Sequence, residues 1–349
     1  DVWRALTDEV LNTIVIKARE EGVGGDSSPR KVIEEYLHSM AVSNYNPIAN
    51  YLDGIGEWDG SDHVSSLFNR LPGVSDEMKT YFRIWLRSMV AHWLQMDTLH
   101  GNECVPVLIG EQGCGKSTFC NRLLPPELRS YFFDHISFSN RFDLEMALTH
   151  ALLVNIDEFN VMTPSQMAKL KQNLSKVKVN SRPIFGRTTE DRPRYSSFIA
   201  TTNERHPLCD PTGSRRFLCI EIPSGVFIDN ESPIDYAQLY AQILHELSLL
   251  GTRYWFTRDE ENRIQELNSA FMKTDDIDMM IASSFDLENS ESQGQWMSGN
   301  EVVNVLCRNY SQLKADSGLK LRLGKALRYL GCKAKHTKRG QEYLLSTRK

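Results

Sequence analysis

Cysteine pairing is the first thing this sequence lacks. Its seven cysteines, at 104, 114, 120, 209, 219, 307 and 332, include no C-x-x-C pair. An odd count without metal-ligand spacing excludes a disulfide framework, argues against a zinc site and reads as free thiols in a reducing cytoplasm. Long apolar runs are missing too. No stretch approaches the roughly 20 residues that span a bilayer. The opening DVWRALTDEVLNTIVIKA is acidic and then amphipathic, unlike a secretory leader. The chain shows no internal repeat and no low-complexity tract. Its first residue is Asp1, not Met, which leaves room for a longer chain upstream.

Acid is scarce in one place only. From Gly318 to Lys349 there are ten basic residues and a single acid, Glu342, so this tail carries +9 and the preceding residues −14 of the net −5. The overall balance argues against nucleic acid, whereas the distribution argues for a local basic patch. With 41% hydrophobic and 24% charged residues, the composition is that of an ordinary globular protein, long enough for roughly two or three domains.

Periodicity divides the chain into an expected helical region (1–100), an α/β core (101–235), a helical extension (236–285), a polar linker (286–295) and a small basic unit (296–349). In the first region Ser75 reads as an N-cap, with Met78, Tyr81, Phe82, Trp85, Met89 and Trp93 on one helical face. That aromatic stripe is most simply core. The segment 46–60, rich in Gly, Pro and Asp, reads as a loop. Short apolar runs at 105–109, 132–138, 151–156, 197–202 and 217–222 alternate with helical patterns, which predicts a mostly parallel sheet. Thr163-Pro-Ser-Gln166 reads as a capping box with Pro at the first helical position, opening a helix that turns Met167, Leu170, Leu174 and Val177 inward. Ser298-Gly-Asn-Glu301 opens another capped helix. A further helix from Leu321 to Leu330 and two strand-like runs, 332–336 and 341–346, complete a helix-then-hairpin pattern that resembles a winged helix.

The strongest chemical signal is Gly110-Glu-Gln-Gly113-Cys114-Gly115-Lys116-Ser117-Thr118, a full G-x-x-x-x-G-K-[ST] after a buried strand. Glycines let backbone N–H groups turn toward phosphate oxygens, a lysine supplies charge for the β- and γ-phosphates, and the serine hydroxyl suits Mg²⁺. The expected ligands are therefore ATP and Mg²⁺. A second apolar strand ends in Asp157-Glu158. Asp157 suits the metal shell with Ser117, and Glu158 suits the general base. A third ends in Asn203, an amide able to orient water or touch the γ-phosphate. Arg215 and Arg216, just before the next strand, suit transition-state charge stabilisation across a subunit boundary. Between these lies a basic, Gly/Pro-punctuated run containing Lys176, Lys178, Arg182, Arg187, Arg192 and Arg194. Two readings stay open for it: a hairpin gripping a phosphate backbone, or a solvated rim. The C-terminal Lys333, Lys335, Lys338 and Arg339 are the second DNA candidate.

In order, WDG, IGEQGCGKST, NIDEF, PIFGRTTEDRPR, ATTN and TGSRRF closely resemble the virulence-associated protein E family of phage and mobile-element ATPases, which are related to superfamily 3 helicases and primase–helicases. The resemblance covers roughly residues 45–250. It implies an ASCE-type, AAA+-like P-loop NTPase core that self-associates into a ring, with a hexamer as the expected size, and an arginine finger, Arg215 or Arg216, reaching the neighbour's site. It makes Lys116 and Ser117 phosphate and Mg²⁺ ligands, Asp157 and Glu158 the acidic pair and Asn203 the sensor. Such proteins often carry a primase-like domain ahead of the ATPase. No such cluster stands in residues 1–100, so priming would lie upstream. The expected partner is single-stranded or duplex DNA, with no membrane. The alternatives are a nucleotide-gated signalling or phage-defence switch, and a replication initiator or loader.

Overall fold

The computed structural model describes residues 6–24, 27–42, 45–96, 99–181, 189–210, 213–272, 276–287, 294–310, 313–337 and 340–347. Among them, strands β1 (Val105–Ile109), β2 (Phe132–Phe133), β3 (Leu153–Ile156), β6 (Ser197–Thr202) and β7 (Phe217–Glu221) form one sheet in the order β2-β3-β6-β1-β7. Every pairing in it is parallel. Such a sheet is covered on both faces, which is why β1, β3 and β6 are buried throughout.

The two faces follow the period of two along a strand. Leu108, Leu153, Ile199, Leu218 and Ile220 point into one core, which they share with the helices His63–Phe68, Asp76–Trp93 and Tyr236–Ser248. Val105, Val107, Val154, Phe198 and Cys219 point into the other, with the helices Arg141–His150 and Pro164–Leu174. The aromatic stripe is core: Phe82, Trp85, Met89 and Trp93 are buried in the first cluster, where Phe68 stacks on Phe82.

Local chemistry sets the helix ends. Ser75 accepts from the Met78 amide, and Thr163 with Gln166 and Ser298 with Glu301 form full capping boxes. Elsewhere the structure departs from the sequence reading. Part of the expected loop 46–60 is a helix, Pro47–Leu52, because Asn46 accepts from the Ile48 and Ala49 amides and Pro47 presets the first turn. The run 132–138 pairs only at Phe132–Phe133. The helix expected to reach Val177 stops at Leu174, where the Arg194 guanidinium takes its terminal carbonyls. The last helix starts earlier, at Ser317, because Asp316 accepts from the Leu319 amide.

Strands β4 (Lys178–Ser181) and β5 (Glu190–Pro193) make an antiparallel pair whose connecting residues lie outside those described. Strands β8 (Gln295–Ser298), β9 (Ala334–Thr337) and β10 (Gly340–Leu345) form an antiparallel sheet in the order β8-β10-β9. With the helices Asp276–Ser284, Gly299–Asn309 and Ser317–Tyr329 they enclose a third core around Ile281, Phe285, Leu306, Leu327 and Leu345. Among the described residues no helix is long and apolar enough to cross a membrane.

Candidate functional site

Parallel pairing brings the carboxyl ends of β1, β3 and β6 to one edge, the usual place for a ligand in such a sheet. Beyond Ile109 the chain turns through Gly113 at φ +82° and Gly115 at φ +96°, left-handed values that favour glycine. Gly115 is also constrained by space: a Cβ there would lie 2.4 Å from Asn230 Nδ2.

Lys116 follows, 7% exposed. Its ammonium donates to the carbonyls of Gly110 (2.8 Å) and Glu111 (2.7 Å) and to Asn203 Oδ1 (2.9 Å). All three oxygens are neutral, the Cys114 sulfur lies 3.8 Å away, and no described carboxylate lies within ion-pair distance. The structure thus joins two residues 87 positions apart, because β1 and β6 are neighbours. Ser117 and Thr118 are exposed beside it, and Cys114 is buried.

Asp157 leaves the end of β3 exposed, with Oδ1 accepting from the Thr201 hydroxyl. Glu158 has φ +50°. Left-handed backbone at a non-glycine residue costs energy and collects at functional sites. Both acids line a cavity of about 380 Å³ together with Asp134, His135 and Gln166. Thr202 donates to Asn160 Oδ1 at 2.7 Å, so two threonines of β6 fix the loop that follows β3. Burial raises the thiol pKa of Cys120, with the Asp157 charge adding to the effect, so this cysteine stays protonated.

The chemistry of the donor set fits a nucleoside triphosphate with magnesium. A buried cation with no described carboxylate in ion-pair reach, followed directly by the exposed hydroxyls of Ser117 and Thr118, calls for an anion. Among the described residues no three acidic, His or Cys side chains gather into a metal cage. Mg²⁺ shared between protein and phosphate needs only one or two protein oxygens.

Arg215 and Arg216 sit elsewhere. They occupy the turn before β7, and Phe217 pairs with Val105, at the amino ends of the strands. The length of β1, about 15 Å of strand, separates them from the glycine turn. Arg215 pairs with Glu261, and Arg216 lies 3.5 Å from Glu103. Both line a cavity of about 120 Å³ with Glu103, Glu261 and Trp255, where Trp255 stacks on His100 at 4.1 Å.

The basic run divides. Arg194 is fully buried, and its guanidinium donates to the carbonyls of Ser196, Asn173, Leu174, Lys176 and Asn102. It is therefore removed from the candidate phosphate grip. Burial lowers its pKa to about 10, which leaves it charged at neutral pH. Lys178 is exposed and paired with Asp191, while Lys176 donates to Asn173 Oδ1. Arg192 lies 3.4 Å from Glu145. In the C-terminal sheet Lys335 lies over the Trp296 ring and 3.4 Å from Glu342, and Lys333 is exposed. Arg182, Arg187, Lys338 and Arg339 lie outside the described residues.

Sequence reasoning missed the partners. Thr201 and Thr202 had a signal, two hydroxyls at the end of an apolar strand. Glu103, Glu261 and Asn230 had none, since each meets its partner only through the fold.

A model of the virulence-associated protein E-like domain matches residues 52–273. The chain is similar to the A-form apo structure of the NrS-1 C-terminal region (305–718), with 13% identity and a TM-score of 0.48 over 87% of this chain and 79% of that one. An apo structure of the same region gives 12% and 0.46 over 88% and 79%. No curated protein matches the sequence significantly.

Proposed function

The chain belongs to the virulence-associated protein E-like family, and from that premise we propose that it is an ATP-hydrolysing DNA helicase or translocase serving replication of a phage, plasmid or other mobile element. One observation carries the nucleotide reading: the Lys116 ammonium, buried among three neutral oxygens at the end of a parallel strand. Among the described residues that charge has no compensating anion, and a triphosphate would supply one.

Gly110, Gly113, Cys114, Gly115, Lys116, Ser117 and Thr118 would then hold the phosphates, with Ser117 and Asp157 as the Mg²⁺ ligands. Magnesium, when bound, neutralises phosphate charge. The Thr201 hydroxyl fixes the Asp157 carboxylate. Glu158 would take the proton of the attacking water. Asn203 now accepts from Lys116, so a ligand that draws Lys116 toward its phosphates would release the amide to meet them. Arg215 and Arg216 are too far from their own glycine turn to serve it. Their position supports a finger acting on a neighbouring subunit in a ring.

Two surfaces support the DNA side of the reading. The β4–β5 pair carries Lys178, with Lys176 just before it, and the C-terminal three-stranded sheet with its helices, which we read as winged-helix-like, presents Lys333 and Lys335.

The test is steady-state ATP hydrolysis with and without single-stranded DNA, with Lys116→Ala as the blank. The expected result is DNA stimulation of about tenfold, or roughly 1.4 kcal/mol of barrier. Glu158→Gln should bind ATP and hydrolyse it slowly. Hydrolysis indifferent to DNA would leave a nucleotide-gated switch. Lys116→Ala turning over like the parent would end the nucleotide reading.

A further inference from the structure

The segment that follows β7 is tied along the glycine turn. The Ile222 amide donates to the Ile109 carbonyl at 2.7 Å. The Ser224 hydroxyl and the Gly225 amide donate to the Glu111 carboxylate. The Ile228 amide donates to the Cys114 carbonyl at 3.0 Å, and the Asn230 side-chain amide to the Gly115 carbonyl at 2.9 Å. Between these anchors Val226 and Phe227 stand out, 40% and 71% exposed. A lone exposed aromatic is ordinary. Phe227 differs because these five hydrogen bonds hold its segment against the strand end and turn that would hold phosphate.

Direction comes from the sheet order. Asp157 and Asn203 follow β3 and β6, on one side of β1, and β7 lies on the other. The reacting end of a triphosphate faces the acidic pair and the amide. Its nucleoside end is thereby sent toward the β7 side, where this segment, residues 222–230, lies as a strap along the turn. Asn230 adds a second, independent mark. Its Nδ2 is committed to the Gly115 carbonyl, which fixes the orientation of the amide and leaves Oδ1 as a buried acceptor with no partner among the described residues. Fully ionised phosphate offers no donor to such an oxygen, whereas a nucleoside offers hydroxyl and amino hydrogens.

We propose that residues 222–230 form the nucleoside subsite, with Phe227 giving its ring face to the nucleobase and the Asn230 carbonyl accepting from a hydroxyl or amino group of the nucleoside. The proposal rests on the phosphate-loop reading above and names what that reading leaves open. Base stacking on an aromatic is tolerant of base identity, so this subsite recognises a nucleoside triphosphate as a class.

The experiment is calorimetric titration of the full chain, in magnesium, with ATP and separately with inorganic tripolyphosphate. Wild type should bind ATP more tightly than tripolyphosphate. Phe227→Ala should weaken ATP about tenfold, within the range measured for losing one base–aromatic stack, and leave tripolyphosphate unchanged. Phe227→Trp should restore ATP. Equal weakening of both ligands would make the strap a brace for the turn and overturn the subsite. So would unchanged ATP binding in Phe227→Ala, or wild type binding tripolyphosphate as tightly as ATP. Each of these leaves the phosphate-loop reading standing. Wild type binding neither ligand overturns both.

Discussion

Two buried cations stand at opposite ends of the same sheet. Lys116 lies beyond the carboxyl end of β1, and Arg194 lies before the amino end of β6. Among the described residues neither has a carboxylate partner, and both donate mainly to carbonyl oxygens. Arg194 is fully enclosed, and its five bonds join the end of one helix, the start of β6 and the segment before β1. The fork of a guanidinium suits that task, and nothing further can reach it. Lys116 carries a point charge directly before the exposed Ser117 and Thr118. A buried charge without a counter-ion is structural where every donor is locked and access is closed. It is a ligand site where the charge stands at a mouth.

The comparison breaks or holds on stability. Arg194→Met would strand several buried carbonyls and should cost on the order of 3–5 kcal/mol, read from urea unfolding. Lys116→Met removes a buried charge that lacks its anion and should cost no more than about 1 kcal/mol, while hydrolysis is lost. Equal destabilisation by the two would make Lys116 a structural cation like Arg194.

The amino end offers a second contrast, because its other arginines are paired with acids. If Arg215 or Arg216 serves a neighbour, its loss should show in rate and hardly in stability. Partly exposed ion pairs such as Arg215–Glu261 contribute roughly 0–1 kcal/mol, whereas an arginine finger changes turnover on the order of 10³-fold or more. Arg215→Ala or Arg216→Ala, whichever removes the finger, should be inactive alone and regain turnover when mixed with Lys116→Ala subunits, because the Lys116→Ala neighbour then supplies the missing arginine to an intact glycine turn. No recovery on mixing, or full turnover in both arginine variants, would sink the shared-site model.

Much of this was legible in the sequence, and the reason is local. β1, β3, β6 and β7 announce themselves as apolar runs because a parallel sheet is buried on both faces, and Gly110, Asp157 and Asn203 close the first three at their carboxyl ends, whereas Arg216 precedes the fourth. The capping boxes at Thr163 and Ser298 were legible because their partners lie three residues away. The fate of Arg194 was not. It stands two residues after the charged Glu190-Asp191-Arg192 and its partners are backbone carbonyls up to 92 residues distant, so a basic run hid a core residue. The strap over the glycine turn was invisible for the same reason: Glu111 and Ser224 are 113 residues apart. The helix Pro47–Leu52 was readable from Asn46-Pro47 but was outweighed by the Gly and Asp that follow.

The smallest effect concerns that strap, which ties the mouth around Lys116 to the β7 edge. Hydrogen bonds from the Ser224 hydroxyl and then the Gly225 amide hold the Glu111 carboxyl below its usual pKa. A carboxylate whose folded value is depressed stabilises the link fully above its ordinary value, near 4.5, and loses that contribution as the pH falls through the lower folded value. Hydrogen exchange at the Gly225 amide, corrected for intrinsic rates, should therefore show constant protection from neutral pH to about pH 5 and a decline of a few-fold in more acid solution. Glu111→Gln should show the weaker protection throughout, without the acid step, because a neutral amide is a poorer acceptor than a carboxylate. Protection at Gly225 that ignores both the acid and the substitution would mean that Ile222, Ile228 and Asn230 hold the strap alone. The tie would then belong with the locked contacts around Arg194 and not with the responsive ones around Lys116.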